Sequence, residues 1–141
     1  MRLPDVNVLL HAVNEASESH QPAHRWLRSA LAGSEPLGFA WVTALGFLRM
    51  STNSRIMPGS LQVSQAGAAL ASWLAQPCAR MVAPGPGHLD RMTALLESAG
   101  TSGDAVTDAH LAALAMEQDG EVVSFDRDFA RFPGLRWSIP A

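Results

Sequence analysis

Short apolar segments of strand length alternate along this chain with longer segments whose apolar residues recur at helical spacing. The predicted strands cover residues 3–5, 37–42, 80–83, 121–125 and 135–139. The predicted helices cover residues 6–13, 22–33, 45–55, 64–74, 88–98 and 104–118. Because a helix that joins two neighbouring strands makes them run parallel, this order predicts a three-layer α/β/α fold with a central, mainly parallel sheet.

The chain has the size and composition of one globular domain. Of its 141 residues, 48% are hydrophobic and 16% are charged, which suits one well-filled core and excludes a disordered chain. We therefore expect one domain over residues 1–141. The small share of charge also predicts a homodimer, in which a second copy covers apolar surface. The helix residues expected to contribute are Trp26 with Leu27, or Ala68 with Leu70.

Several classes of protein are excluded by what the sequence lacks. No segment has the roughly 18 apolar residues of a membrane span, and Pro4 and Asp5 interrupt the apolar start that a secretion signal needs, so we expect a cytoplasmic protein without membrane contact. Cys78 is the only cysteine, which excludes a cysteine-based zinc site. All ten basic residues are arginines, so lysine-based catalysis is excluded while bidentate phosphate contacts remain available.

Acidic residues collect where the predicted strands end and where the last long helix begins. Asp5 ends the first strand, and Asp126 and Asp128 follow the fourth. Asp104 and Asp108 lie four apart at the start of the helix and so on one face, where mutual repulsion costs roughly 0.2–0.5 kcal/mol. Ligands of open parallel sheets bind beyond the carboxyl ends of the strands. Carboxylates gathered at that edge predict a site for Mg²⁺ or Mn²⁺, which prefer oxygen ligands.

Polar residues near these acids are candidates for contacts with an anionic substrate. The candidates for phosphate or water contacts are Asn7, Arg49, Arg55, Ser124 and Arg127. Each residue taken alone also has a structural explanation: an aspartate can cap a helix or turn, a hydroxyl can satisfy local backbone, and an arginine can be solvated. The functional interpretation depends on the set of acids rather than on any one of them.

Three segments of the sequence resemble the acidic motifs of PIN-domain ribonucleases. They read DVNVL at residues 5–9, TDAHLAALA at residues 107–115 and SFDRDF at residues 124–129, in the family's order and spacing. The stretch at residues 41–53 and the ending RFPGLRW at residues 131–137 resemble the VapC group, the toxins of bacterial type II toxin–antitoxin pairs. The resemblance covers nearly the whole chain.

The resemblance implies an endoribonuclease that binds Mg²⁺ or Mn²⁺, forms a homodimer, is silenced by a cognate antitoxin, and cleaves structured RNA such as tRNA or rRNA by metal-activated water. Asp5, Asp108 and Asp126 match the family's metal-binding acids, and Asp128 is a fourth candidate. Gly46 stands where many PIN domains carry a glutamate. Either Asp104 or Asp128 replaces that glutamate, or water completes the coordination of the metal.

Two alternative functions stay open on the sequence. A metal-dependent phosphatase would use Asp5 as a covalent nucleophile, but Asn7 stands where a second acid is expected and no lysine is present to hold the phosphate. A PIN-like module that binds RNA or protein with little or no catalysis would follow from the missing glutamate at Gly46. Incubation with RNA and a divalent metal separates these functions.

Overall fold

The computed structural model describes residues 1–141 and contains five strands and six α-helices. The strands are β1 (Arg2–Pro4), β2 (Leu37–Ala40), β3 (Ala79–Val82), β4 (Glu121–Val123) and β5 (Arg136–Ser138). The helices are α1 (Val6–Val13), α2 (His20–Ala32), α3 (Trp41–Ser51), α4 (Val63–Leu74), α5 (His88–Ala99) and α6 (Val106–Glu117). Two short 3-10 helices cover Gly103–Ala105 and Arg127–Arg131. None of the α-helices is long and apolar enough to span a membrane.

The five strands form one parallel sheet in the order β3-β2-β1-β4-β5. The predicted fold class is confirmed, and the sheet is parallel throughout. β1 is the central strand, and its last residue, Pro4, pairs with Val123 at the end of β4. Because all the strands point the same way, the residues that follow β1 and β4 emerge side by side at the carboxyl edge of the sheet.

Each face of the sheet is covered by its own set of helices. Helices α1 to α4 enclose one buried cluster, in which Phe39 of β2 packs with Phe47 of α3. Helices α5 and α6 enclose the other cluster with Val122 of β4 and the buried Phe129. Full burial of a large apolar side chain stabilises the fold by about 1.5–3 kcal/mol. The two clusters make the three-layer arrangement that the alternating pattern predicts.

Most element boundaries lie within a few residues of their predicted positions, but the helix predicted at residues 104–118 is different. Its start is a separate 3-10 turn, Gly103–Ala105, in which Gly103 has a positive φ of 63°, and α6 begins only at Val106. The prediction that Asp104 and Asp108 share one α-helical face is therefore wrong. The predicted strand at residues 121–125 ends at Val123, so Ser124 and Asp126 lie in the loop beyond it.

Candidate active site

Three elements bring acidic residues to the carboxyl edge of the sheet. Asp5 follows β1 and caps α1, accepting a hydrogen bond of 2.7 Å from the backbone N–H of Val6 through Oδ1. Asp126 follows β4 and caps the 3-10 helix Arg127–Arg131, where its Oδ1 accepts from the N–H of Asp128 at 2.8 Å. Asp108 lies in the first turn of α6, where the positive end of the helix dipole favours a carboxylate.

Asp5 is held by a hydrogen-bond network that joins β1 to β4. Its Oδ2 accepts from Ser124 Oγ at 2.7 Å and from Asn7 Nδ2 at 2.9 Å. Ser124 Oγ also accepts from Asn7 Nδ2 at 3.0 Å and from the Asp126 N–H at 3.0 Å. The carbonyl oxygen of the Asn7 side chain accepts from the N–H of Phe125 at 3.2 Å. The network fixes the orientation of the Asp5 carboxylate and links it to the loop that carries Asp126.

Asn7 and Ser124, two of the predicted phosphate contacts, both belong to this network. Ser124 is fully buried, and its hydroxyl group already donates one hydrogen bond and accepts two. Both ends of the Asn7 amide are likewise used within the protein. A hydroxyl that has used its donor and both lone pairs has nothing left for a phosphate. The hydrogen bonds of the two residues orient the Asp5 carboxylate.

Asp108 forms the one hydrogen-bonded ion pair within the acidic group. Arg131, at the end of the second 3-10 helix, donates through Nη2 to Asp108 Oδ2 at 3.1 Å. Its Nη1 lies 3.7 Å from Asp128 Oδ2, although the Asp128 side chain is 70% exposed. Nothing in the local sequence pattern singled out Arg131, because its partner Asp108 is 23 residues away in the chain. It is the residue of this site that sequence reasoning missed.

The pKa values of Asp5 and Asp108 are both raised. Burial raises the pKa of Asp5, hydrogen bonds from Ser124 and the Val6 N–H oppose that rise, and the charge of Asp126 adds to it. The pKa of Asp108 is raised to about 6, first by burial and then by the charges of Asp5 and Asp126, with Arg131 opposing the rise and Asp128 adding to it. Mutual repulsion of this kind is relieved by a bound cation.

A small cavity lies between Asp5 and Asp108. Its volume is about 20 Å³, and a water-sized particle needs roughly 10–15 Å³ on the same measure. The cavity therefore has room for one water-sized occupant. Thr43, from the first turn of α3, and Thr107 add hydroxyl-bearing side chains to its wall. The apolar part of the wall consists of Val6, Val42 and Leu111.

The position where many PIN domains carry a glutamate is closely packed in this chain. Gly46 of α3 is buried against α1, and a Cβ atom there would lie 3.2 Å from Cγ2 of Val6. Asp104 does not replace the glutamate, because it is exposed in the 3-10 turn, forms no hydrogen bond, and is not among the charges that shift the pKa of Asp108. Thr43 is the polar residue that α3 contributes to the cavity.

The arginines predicted to contact phosphate are exposed and do not pair with the acids. Arg49 lines a surface depression that also includes Thr107, a residue shared with the acidic cavity. Arg55 is exposed in the turn after α3, and Arg127 is exposed at the start of the second 3-10 helix. None of the three forms a salt bridge with the acids, in contrast to Arg131.

The donor set suits a hard divalent cation, although no coordination shell is preformed. No three side chains of Asp, Glu, His or Cys are gathered closely enough to hold a metal ion together. The acidic site nevertheless presents carboxylate oxygens around a cavity of about 20 Å³, and their charges repel one another. These are the ligands that Mg²⁺ and Mn²⁺ prefer, and Mg²⁺ commonly binds one or two carboxylates and completes its shell with water.

A parallel α/β/α fold with aspartates gathered beyond β1 and β4 is a nuclease-like arrangement, and the PIN domain matches residues 2–135 of this chain. The chain therefore belongs to the PIN-domain family. Ribonuclease VapC37 of Mycobacterium tuberculosis is 46% identical over 140 residues, which cover 99% of this chain and 97% of that protein. Within the PIN-domain family, the chain is thus a member of the VapC group.

Solved structures of low sequence identity share the fold. The M. tuberculosis toxin VapC20, described as cleaving the sarcin-ricin loop, superposes with a TM-score of 0.69 at 15% identity, covering 96% of this chain and 99% of that one. A chain of a toxin–antitoxin complex from Klebsiella pneumoniae superposes with a TM-score of 0.66 at 16% identity, covering 100% of this chain and 98% of that one. These structural similarities support the α/β/α fold over nearly the full length of the chain.

Proposed function

We propose that residues 1–141 act as one PIN-like domain with metal-dependent endoribonuclease activity, the toxin of a type II toxin–antitoxin pair. The observation that carries the proposal is the meeting of Asp5, Asp108 and Asp126 at the carboxyl edge of the sheet. Their charges act on one another in a chain that is 46% identical to a ribonuclease. Three carboxylates on three separate elements repel one another and so do little for the stability of the fold, whereas together they suit the binding of one shared cation.

We assign metal binding to Asp5, Asp108 and Asp126, with Asp128 at the exposed rim as a further ligand. A bound Mg²⁺ or Mn²⁺ would neutralise charge on the scissile phosphate and activate a water molecule for attack. Asn7 and Ser124 hold the Asp5 carboxylate in one orientation, since ligands need such support from neighbouring hydrogen bonds.

We propose structured RNA, such as tRNA or rRNA, as the substrate, and a cognate antitoxin as a protein partner. VapC20, which has the same fold, is described as cleaving the sarcin-ricin loop, and the Klebsiella pneumoniae structure is described as a toxin–antitoxin complex. The exposed arginines near the acidic edge, Arg49 and Arg127, are suited to the backbone of a folded RNA because their charge recognises phosphate without regard to base.

We also propose that the chain forms a homodimer. Of the helix residues that the sequence suggested, Leu27 and Leu70 are buried in the core, whereas Trp26 is half-buried and Ala68 is exposed. Trp41 and Leu45, four residues apart on α3, are 61% and 59% exposed. Because residues four apart lie on one face of a helix, they make an apolar patch that a second copy would cover through the same residues.

The proposed activity is tested by incubating pure protein with total RNA in Mn²⁺ and in EDTA. We expect RNA fragments in Mn²⁺ only, and none from Asp126→Asn, while Asp90→Asn, which changes an exposed acid of α5, cleaves as the wild type does. Hydrolysis of p-nitrophenyl phosphate without RNA cleavage would indicate the phosphatase. Neither activity, with RNA still bound, would indicate a binding module.

A further inference from the structure

Arg131 is the only basic side chain that contacts the acidic site. Its Nη2 lies 3.1 Å from Asp108 Oδ2, and its Nη1 lies 3.7 Å from Asp128 Oδ2. The remaining salt bridges of the chain involve Glu35, Glu117 and Asp119, none of which belongs to the site. An anionic RNA that approaches four aspartates therefore meets one fixed positive charge of the protein in direct contact with them.

Most hydrogen-bond donors of Arg131 are not used within the protein. A guanidinium group has five N–H donors, and only the bond from Nη2 to Asp108 has normal hydrogen-bond length. The contact of 3.7 Å with Asp128 is too long for a hydrogen bond, and the buried Nε bonds no protein atom. The Arg131 side chain is 28% exposed. The Nη groups therefore have donors that remain available to a ligand from solvent.

The guanidinium group is also held in place. Its Cζ lies 5.1 Å from the centre of the Phe132 ring, a cation–π contact. Phe132 is buried, as is Phe129 on the same short segment, so the backbone that carries Arg131 is anchored to the core on both sides. A cation held in this way loses less conformational freedom on binding a ligand than a free surface arginine does.

We propose that Arg131 binds a phosphate group of the RNA backbone beside the carboxylates, while its Nη2 keeps the bond to Asp108. The proposal rests on the proposed ribonuclease function and names a substrate-binding residue for it. Phosphate is the ligand class because the planar fork of arginine donates two parallel hydrogen bonds to two phosphate oxygens. A base would not bring the negative charge that the free donors of Arg131 recognise.

The test measures binding of a fluorescently labelled RNA hairpin by anisotropy in EDTA, where the proposed metal-dependent cleavage does not occur. Arg131→Gln should weaken binding by roughly tenfold and reduce the slope of log affinity against log salt, since one phosphate contact is lost. Arg131→Lys should weaken binding severalfold, because the charge remains but the fork does not. The matched control is Arg91→Gln, which removes the same charge from an exposed position on α5 and should bind as the wild type does.

Mn²⁺ affinity, measured by electron paramagnetic resonance, separates substrate binding from a positioning role. If Arg131 only orients Asp108, Arg131→Gln will bind RNA as Arg91→Gln does and will lose Mn²⁺ affinity, which overturns the proposal. If Arg131→Gln does not fold, the Arg131→Lys variant provides the test. Severalfold weaker RNA binding by Arg131→Lys supports the phosphate contact, and binding equal to that of the wild type overturns it. A wild-type chain that neither binds nor cleaves RNA would overturn the ribonuclease function itself.

Discussion

Replacing Asp108 with asparagine should stabilise the metal-free protein. Burial and the charges of Asp5 and Asp126 raise the pKa of this carboxyl from 3.8 to about 6, so its ionised form is unfavourable in the folded state at neutral pH. Asparagine has a similar shape, keeps a side-chain oxygen for Arg131, and carries no charge. The substitution removes the repulsion and leaves the contact in place.

The size of the effect follows from the pKa. At about 1.4 kcal/mol per pKa unit, a rise from 3.8 to about 6 corresponds to about 3 kcal/mol at pH 7. We halve this value because solvent reaches the Asp108 side chain, which is 24% exposed. The weaker hydrogen bond from Arg131 to an uncharged oxygen offsets part of the remainder. A net gain of about 1 kcal/mol should raise the Tm by roughly 3–5 °C for a chain of this length.

The pH dependence of stability is an independent test of the sign of this effect. The unfolded carboxyl ionises near pH 3.8, while the folded one keeps its proton until about pH 6, so Asp108 lowers the stability of the wild type progressively as pH rises through this range. As pH falls toward 4 the unfolded carboxyl also takes up its proton, so the Tm values of the wild type and Asp108→Asn should converge. Above pH 7 their difference in Tm should be largest and constant.

Thermal melts in EDTA and in Mn²⁺, followed by circular dichroism between pH 4 and pH 8, provide the measurement. Asp104→Asn, the same change at an exposed position outside the site, is the control and should leave the Tm unchanged. Mn²⁺ should stabilise the wild type more than Asp108→Asn, because a ligand that binds only the folded state raises its stability. An Asp108→Asn protein that melts below the wild type at pH 7.5 in EDTA would refute the reasoning.

Four further substitutions probe separate parts of the structure. Asp5→Asn and Asp126→Asn should each lower RNA cleavage in a gel assay by more than about 100-fold. This exceeds the 10–100-fold loss that is typical of a residue that only supports a metal ligand. A smaller loss would show that the substituted residue is not a metal ligand. Ser124→Ala should lower the free energy of unfolding in urea by roughly 1–3 kcal/mol, because it leaves buried partners unbonded; unchanged stability would mean that the network contributes little. Trp41→Glu should leave a monomer of 15.0 kDa by light scattering, provided that the wild type is a dimer; a dimeric variant would place the interface elsewhere.

The fold class and two of the acidic positions could be predicted because they depend on local pattern. The spacing of apolar residues predicts the strands and helices. In a parallel sheet, the residues that follow β1 and β4 lie at the same edge, and this does not depend on how the core is packed. Asp5 and Asp126 were therefore correctly placed at that edge. The start of α6 was less accurate, because residues 103–105, which include Asp104, form a separate 3-10 turn and α6 begins only at Val106.

What the tertiary structure alone decided is how the side chains at that edge are paired. Ser124 bonds Asp5 across 119 residues of chain because β4 lies next to β1, and Arg131 reaches Asp108 because its segment is anchored between Phe129 and Phe132. Neither pairing leaves a periodic signal in the sequence. Hydrogen-bond partners depend on distances set by the packing of the whole core, whereas periodicity reports only which face of an element is buried.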